Sequence, residues 1–287
     1  MKKMVSIVIL MTAFVWASVA ALQSAPKVLL IVWDGSEYSV VEPMFRNGQL
    51  PNLGRIAPTV HRLLADKTCE TGPQECECIT TETKPQFAIM LTGLLADATG
   101  VVTNRCFRTI PAGMTVPEKL EARDATIRTA HISGKSENPG TKVFQNLSRT
   151  VDYYLAEPLD SEQTADQAIG RITQWAGNSF FIMLHFREPD RTGHLRGVNS
   201  IDYQMRLLEV DRQTGRILDA LAARGILNQT IIYVISDHGF GVPGGPVATR
   251  PFLHTNSPNA IFASNDPAGG EGVRMRDIAS LVLAHWQ

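Results

Sequence analysis

The stretch SFFIMLHFREPDRTGH, residues 179–194, points to both the fold and the chemistry of this chain. Its apolar part, 180–184, is typical of a strand buried inside a sheet. Two acids, Glu188 and Asp190, follow the strand, and His194 stands four residues after the second acid. A buried strand that stops at potential metal ligands predicts a metal site if further ligands follow other strands.

Similar apolar runs alternate with amphipathic helical patterns along the rest of the chain. This alternation favours an α/β fold, a three-layer sandwich with a largely parallel central sheet. Ligands of such sheets bind beyond the carboxyl ends of the strands, so residues that follow different strands share one edge. Strands are predicted at 27–33, 126–133, 151–156, 179–186, 229–235 and 259–264, and helices at 84–95, 161–177, 200–225 and 274–286.

The totals are those of an ordinary globular protein. The 287 residues carry a net charge of −1, which offers no electrostatic footprint for a nucleic acid duplex. No internal repeat or long linker divides the chain, so residues 21–287 are predicted to form a single domain.

The N-terminus has the pattern of a secretory signal peptide over residues 1–20. Lys2 and Lys3 precede an apolar stretch at 7–16, and Ser-Val-Ala at 18–20 fits a small-x-small cleavage site. We therefore expect a secreted or periplasmic protein with no stable membrane insertion after cleavage. An uncleaved membrane anchor is the alternative, because the apolar run is of borderline length.

Export also affects how the cysteines are interpreted, because an even number in an oxidising compartment suggests disulfides. A bond between Cys76 and Cys78, which are separated by one residue, would be strained. Cys69 and Cys106 are then their partners, in either order. A structural zinc ion on the thiolates and free thiols are the alternatives.

Potential ligands recur where other predicted strands end. Asp34 follows the first strand, and Asp237 and His238 follow the strand at 229–235. Adjacent Asp and His side chains at the end of a buried strand must both find partners for their polar atoms. Carboxylates and imidazoles together suit zinc, and a set too large for one tetrahedral shell predicts two metals roughly 4 Å apart. The candidates are Asp34, Thr83, Asp190, His194, Asp237, His238 and His254.

In this order, the motifs resemble the alkaline phosphatase superfamily, nearest its type I nucleotide pyrophosphatase/phosphodiesterase branch. The resemblance extends from about residue 27 to the end of the chain. The combination of EPDxxGH, SDHG and a Thr-x-Pro segment is specific, and it implies an alkaline-phosphatase-like fold. The matching stretches are VLLIVWDG, TTETKPQFAIMLTG, TGVVTN, EPDRTGH, YQMRLLEVDRQTGRIL and TIIYVISDHGFG, with His254 downstream.

The resemblance implies a role for each matching position. Thr83 matches the nucleophile, and Asn104 matches the side-chain amide that holds a non-bridging phosphoryl oxygen. The implied mechanism is in-line attack, a covalent phosphothreonine, and hydrolysis of that intermediate by water. One zinc ion is expected on Asp190, His194 and His254, and the other on Asp34, Asp237 and His238 together with Thr83.

Elementary chemistry agrees with this role for Thr83. A threonine hydroxyl is a poor nucleophile at neutral pH, and binding to a dication lets it deprotonate. Pro85 suits the first turn of a helix, whose N-terminus favours a phosphate oxygen near Thr83. The alternatives are that Thr83 is a helix N-cap, or that Thr80 or Thr81 holds the nucleophile's place.

The expected function is a secreted two-metal phosphodiesterase or nucleotide pyrophosphatase that acts on a small-molecule phosphate ester. The alternatives are a phosphomonoesterase or phosphonate hydrolase of the same superfamily, phosphoryl transfer to an acceptor other than water, and a catalytically silent metal-binding or scaffold protein. Type I sulfatases carry a modified cysteine at the position of Thr83 and an arginine at that of Phe87. Sulfate ester hydrolysis is therefore not expected.

Some further residues receive ordinary interpretations. The segment SGKS, 133–136, lacks the glycine that a P-loop needs at Thr129, and is predicted to be a turn after a strand. His185 is expected to be a core histidine, with support of a metal ligand as the alternative. Lys84 is expected to point to solvent, with contact to an anionic substrate as the alternative.

Overall fold

The structure, a computed structural model, describes residues 25–66, 82–136, 142–240 and 259–287. The predicted signal peptide, Cys69, Cys76, Cys78 and His254 lie outside these ranges, so the cleavage and the disulfide pairing stay predictions. Within these ranges, no helix combines the length and the apolar character that crossing a membrane requires.

A mixed sheet forms the centre of the described part of the molecule. Its strands are β1 Lys27–Trp33, β2 His61–Leu64, β3 Arg128–Ser133, β4 Tyr153–Ala156, β5 Phe180–Phe186, β6 Thr230–Ile235 and β7 Asn259–Ser264. Their order is β2-β7-β6-β1-β5-β3-β4. The strands from β6 to β4 in this order are parallel, whereas β7 is antiparallel to both β6 and β2. The predicted α/β fold with a largely parallel sheet is confirmed.

Helices connect these strands. They are α1 Tyr38–Arg46, α2 Pro51–Gly54, α3 Thr83–Thr92, α4 Ala96–Thr99, α5 Val116–Arg123, α6 Leu147–Thr150, α7 Ser161–Trp175, α8 Glu188–Arg196, α9 Ile201–Ala223 and α10 Ile278–Ala284. Short 3₁₀ turns at Leu227–Gln229 and Met275–Asp277 precede β6 and α10.

The central strand β1 shows why helices cover both faces of the sheet. Successive side chains of a strand point to opposite faces. Leu29 and Ile31 pack with α1, α2, α7 and α9, whereas Val28 and Leu30 pack with α3, α5, α6 and α10. Every residue of β1 is buried, as expected for a strand covered on both sides. The predicted three-layer sandwich is therefore confirmed.

Side-chain caps determine where the two long helices begin. The Asp160 carboxylate accepts a hydrogen bond from the Gln163 N–H, and the Gln163 side chain accepts one from the Asp160 N–H. The pattern of Ser161 with Gln163 or Thr164 predicts the cap at Ser161, but the N-cap of α7 is Asp160, one residue earlier. The Ser200 hydroxyl caps α9 in the same way, by accepting from the Tyr203 N–H.

Candidate active site

The candidate site lies at the carboxyl ends of four neighbouring strands, β6, β1, β5 and β3. Asp34 follows β1, Asp237 and His238 follow β6, Lys135 follows β3, and α8 follows β5. Parallel pairing places the ends of these strands together although they are far apart along the chain. This is the edge at which parallel α/β sheets bind their ligands.

One group of side chains surrounds the ring of His238. Its Nε2 atom lies 3.2 Å from Thr83 Oγ1, 3.4 Å from Asp34 Oδ1 and 3.3 Å from Asp237 Oδ2. All these residues are buried. The structure thus brings together the side chains that the sequence analysis assigned to one metal ion.

The hydrogen-bond partners of this group suit a cation. His238 Nδ1 lies 3.0 Å from the Gly239 carbonyl oxygen, and a carbonyl only accepts. With Nδ1 as the donor to this carbonyl, Nε2 is the ring nitrogen that can bind a cation. Asp34 Oδ1 and Asp237 Oδ2 are buried and accept no hydrogen bond from the described residues. Buried lone pairs that face one another need a positive charge between them.

Thr83 is the first residue of α3. Glu82 precedes it in the N-cap position, so the interpretation of Thr83 as a helix N-cap is wrong. Its hydroxyl faces His238 instead. The alternatives Thr80 and Thr81 lie outside the described residues.

The second group of predicted ligands lies on α8. Asp190 and His194 are one helical turn apart, and His194 Nε2 lies 3.3 Å from Asp190 Oδ1. Asp34, Asp190 and His238 place ligand atoms within 4.8 Å of one another, so the two groups adjoin and together can hold a metal. His254, the third ligand predicted for this group, lies outside the described ranges and stays a prediction.

Lys135, which the sequence analysis assigned to a turn, joins the two groups. Its Nζ atom lies 2.5 Å from Asp34 Oδ2 and 2.5 Å from Asp190 Oδ2. Burial alone would lower the pKa of Lys135, but the charges of Asp190 and Asp34 raise it. Lys135 is therefore a cation at neutral pH. No local sequence pattern marks a lysine in a turn as a member of such a site.

His185 supports Asp34 as well as filling the core. Its Nε2 atom lies 2.7 Å from Asp34 Oδ2, and its Nδ1 atom lies 2.9 Å from the Ser133 hydroxyl oxygen. Burial lowers the pKa of His185, so the ring is neutral. Since a carboxylate only accepts, Nε2 carries the proton and donates it to Asp34. The expectation of an ordinary core histidine was therefore incomplete.

The charges of the site shift the pKa values of two aspartates in opposite directions. Burial and the charge of Asp190 would raise the pKa of Asp34, but Lys135 and His185 hold it below its usual value. Burial and the charge of Asp34 raise the pKa of Asp237 to about 7. The metal-free site thus disfavours the charge of Asp237, which a cation beside it would restore.

Asn104 lies beside the start of α3, close to Thr83. Its Oδ1 atom accepts a hydrogen bond from the Lys84 backbone N–H at 2.9 Å. The side-chain oxygen thus accepts a hydrogen bond from the first turn of α3, and the amide NH₂ group can donate to another acceptor. The Lys84 ammonium donates to the Asn104 carbonyl at 2.8 Å and lies 3.9 Å from the centre of the Phe107 ring. The expectation that Lys84 simply points to solvent is wrong.

Glycines in the ligand motifs allow the parts of the site to approach one another. Gly35 follows Asp34 with φ at +64°, and a Cβ there would lie 2.9 Å from the Asp190 Cα. A Cβ on Gly193 would lie 2.4 Å from Phe240 Cζ. The Phe240 ring packs against the ring of His194 with centroids 5.3 Å apart. A side chain at either glycine would therefore displace a neighbour of the site.

Comparison with known protein families gives a match over most of the chain. Residues 28–256 match the family described as type I phosphodiesterase / nucleotide pyrophosphatase. The chain belongs to this family. The resemblance stated from the EPDRTGH and SDHG motifs is thereby confirmed.

Individual relatives agree with this assignment. Human ectonucleotide pyrophosphatase/phosphodiesterase family member 5 is 23% identical over an alignment of 228 residues, and the match covers 74% of this chain and 44% of the relative. The venom phosphodiesterase of Macrovipera lebetinus is 24% identical over an alignment of 212 residues, and the match covers 68% of this chain and 24% of the relative. The chain therefore spans less than half the length of these curated relatives.

Solved structures show the same fold. Murine ectonucleotide pyrophosphatase/phosphodiesterase 5, in an inactive form bound to AMP, superposes with a TM-score of 0.63 at 14% identity. The match covers 91% of this chain and 94% of the murine one. This likeness places the described sheet and helices in the alkaline-phosphatase-like fold.

Proposed function

We propose that the protein is a metal-dependent phosphodiesterase or nucleotide pyrophosphatase with Thr83 as its nucleophile. The observation that carries this proposal is the position of Thr83 Oγ1, 3.2 Å from His238 Nε2 and in one buried group with Asp34 and Asp237. Membership of the family supports the substrate class, a small molecule that contains a phosphate ester.

Two divalent ions, assigned as Zn²⁺, complete the proposed site. Mixed carboxylate and imidazole ligands suit zinc, and the buried acceptor oxygens of Asp34 and Asp237 fit a cation. When bound, the ions supply positive charge that lowers the pKa of the attacking hydroxyl and stabilises the leaving oxygen. In this assignment Asp34, Thr83, Asp237 and His238 would hold one ion, and Asp190, His194 and His254 would hold the other.

Residues of the chain carry out the remaining steps. The Thr83 hydroxyl releases its proton to solvent, and its oxygen attacks phosphorus as the bond to the leaving oxygen breaks. The leaving alcohol takes up a proton from solvent. Water then hydrolyses the phosphothreonine, which releases the phosphomonoester and restores the hydroxyl. Asn104 donates its amide N–H to a non-bridging phosphoryl oxygen in both steps.

The proposed reaction takes place outside the cytoplasm. Residues 1–20 are assigned to a cleaved signal peptide, and residues 21–287 to one catalytic domain. The support is the order of two lysines, an apolar run and a small-x-small site. Sequencing the N-terminus of the exported protein should find a start just after Ala20. Recovery of the uncleaved chain from membranes would favour the anchor instead.

A screen of ester classes tests the activity. Zinc-loaded mature protein should hydrolyse p-nitrophenyl phosphodiesters faster than monoesters or phosphonates, lose activity with a chelator and regain it with Zn²⁺. Thr83→Ala should lower the rate about a thousandfold or more. Thr109→Ala, at an exposed threonine, is the matched control.

The other outcomes of the screen identify the alternatives. Preference for monoesters or phosphonates would favour a phosphomonoesterase or phosphonate hydrolase at the same site. Zinc-loaded protein that turns over none of the three classes would contradict the enzyme and favour a silent metal-binding protein.

A further inference from the structure

Lys135 contacts one carboxylate oxygen of Asp34 and one of Asp190, and the other oxygen of each aspartate lies near a histidine. Its ammonium contacts Oδ2 of Asp34 and Oδ2 of Asp190. Asp34 Oδ1 lies 3.4 Å from His238 Nε2, and Asp190 Oδ1 lies 3.3 Å from His194 Nε2. Each aspartate therefore has one oxygen on the lysine and the other beside its own proposed metal position.

The metal-free protein needs a cation at this point. Asp34 and Asp190 are 0% and 4% exposed. Two carboxylates buried side by side lose their hydration and repel one another unless a positive charge lies between them. His185 donates a hydrogen bond to the Asp34 carboxylate. The Lys135 ammonium brings a full charge to both aspartates, and its side chain is only 19% exposed.

We infer that Lys135 is the internal counter-cation of the metal site, which holds Asp34 and Asp190 together without metal and weakens the binding of metal ions there. The inference rests on the metal site of the proposed function. A fixed ammonium has both effects for one reason. It attracts the carboxylates when no metal is present, and it repels a dication that approaches their Oδ1 atoms.

Three substitutions separate this role from simple packing. K135M keeps an unbranched side chain that is one atom shorter and removes its charge, whereas K135R keeps the charge. K142M removes the charge of an exposed lysine elsewhere and is the matched control. Each protein is melted after exhaustive chelation and again with saturating Zn²⁺, and zinc affinity is measured in competition with a chromophoric chelator.

The expected results differ between the two conditions. Without metal, K135M should melt about 5–15 °C below the wild type. With saturating Zn²⁺ the difference should shrink to less than half, because the ions then supply the missing charge. The affinity of K135M for zinc should be higher than that of the wild type by about tenfold or more. K135R and K142M should stay within about threefold of the wild-type affinity.

Other results would overturn the inference. An equal loss of melting temperature with and without zinc would show a packing role only, and weaker zinc binding by K135M would contradict the repulsion. K135M that folds only with zinc would support the inference, whereas K135M that is insoluble in both conditions would contradict it. A wild-type protein that binds no divalent ion would overturn the proposed function. In that case the melting temperatures without metal would still test the counter-cation. A lower melting temperature for K135M alone would support it, and an equally lowered melting temperature for K135R would contradict it.

Discussion

Thr83 Oγ1 lies 3.2 Å from His238 Nε2, although 155 residues separate the two side chains. Thr83 begins α3 on one face of the sheet, and His238 follows β6 at its carboxyl edge. The contact leaves the hydroxyl among buried acceptors, where a bound cation would favour loss of its proton. The contact follows from how α3 and β6 pack, and the sequence around Thr83 alone does not reveal it.

Thr83→Ser tests the nucleophile directly. Serine keeps the hydroxyl, so the variant should retain measurable diester hydrolysis where Thr83→Ala retains almost none. Acid quenching during turnover, followed by mass spectrometry, should find the phosphoryl group on Thr83 in the wild type and on the new serine in the variant. A phosphoryl group on Thr80 or Thr81 would show that one of these residues, and not Thr83, is the nucleophile.

Asn104→Asp separates the two uses of the Asn104 side chain. The carboxylate can still accept from the Lys84 N–H, so the start of α3 should be preserved. It cannot donate to a phosphoryl oxygen, and it brings a negative charge beside one. We expect kcat to fall about a hundredfold or more with a melting temperature near that of the wild type. An unchanged kcat would exclude Asn104 from the reaction.

His185→Phe tests the hydrogen bond that His185 donates to Asp34, because phenylalanine keeps a ring but has no donor. Removing a hydrogen bond that orients a metal-binding carboxylate typically lowers metal affinity or activity about 10- to 100-fold. We expect a loss of this size in the zinc titration. His61→Gln, at the sheet edge in β2, is the control and should leave zinc affinity unchanged. Zinc affinity equal to that of the wild type in His185→Phe would show that His185 has only a structural role.

Gly193→Ala tests the close packing of the EPDRTGH motif. The new Cβ would lie 2.4 Å from Phe240 Cζ, so the ring that packs on His194 must move. We expect a loss of about 1–3 kcal/mol in the free energy of unfolding, together with lower activity. Gly170→Ala in α7 is the matched control, because its Cβ would meet nothing within 4 Å. That variant should be neutral or up to about 1 kcal/mol more stable.

His131 gives the stability of the protein a dependence on pH. It is buried and stacks on Tyr154, with ring centroids 5.0 Å apart. Burial is the largest cause that lowers the pKa of His131 from 6.5 to about 3. The unfolded chain therefore takes up a proton below pH 6.5 that the folded chain refuses. The stability from neutral His131 is full above pH 6.5 and falls as the pH drops towards 3.

His131→Phe should keep the ring stack and remove this titration. Its free energy of unfolding, measured by urea denaturation, should vary less between pH 6.5 and pH 3 than that of the wild type. If the free energy of unfolding changes with pH in the same way for both proteins, His131 does not contribute to the loss of stability in acid. His61→Gln serves again as the control and should follow the wild type.

Much of the fold could be predicted because it depends on local patterns. The continuous apolar runs of β1 and β5 mark buried strands wherever they stand. The strand β2 could not be predicted, because its four residues acquire their conformation from pairing with β7. The cap of α7 was displaced by one residue because Asp160 and Ser161 can both cap a helix, and only the hydrogen bonds to Gln163 distinguish them.

The sequence by itself determined which chemical groups stand at the strand ends, among them Asp34, Asp237 and His238, since strands and their ends follow from local patterns. Only the tertiary structure decided that Lys135 belongs to this site. A lysine after a strand is ordinarily a solvated surface residue. Strand order brings Asp34 and Asp190 to its ammonium, and distances between side chains on different strands are not encoded in any local pattern.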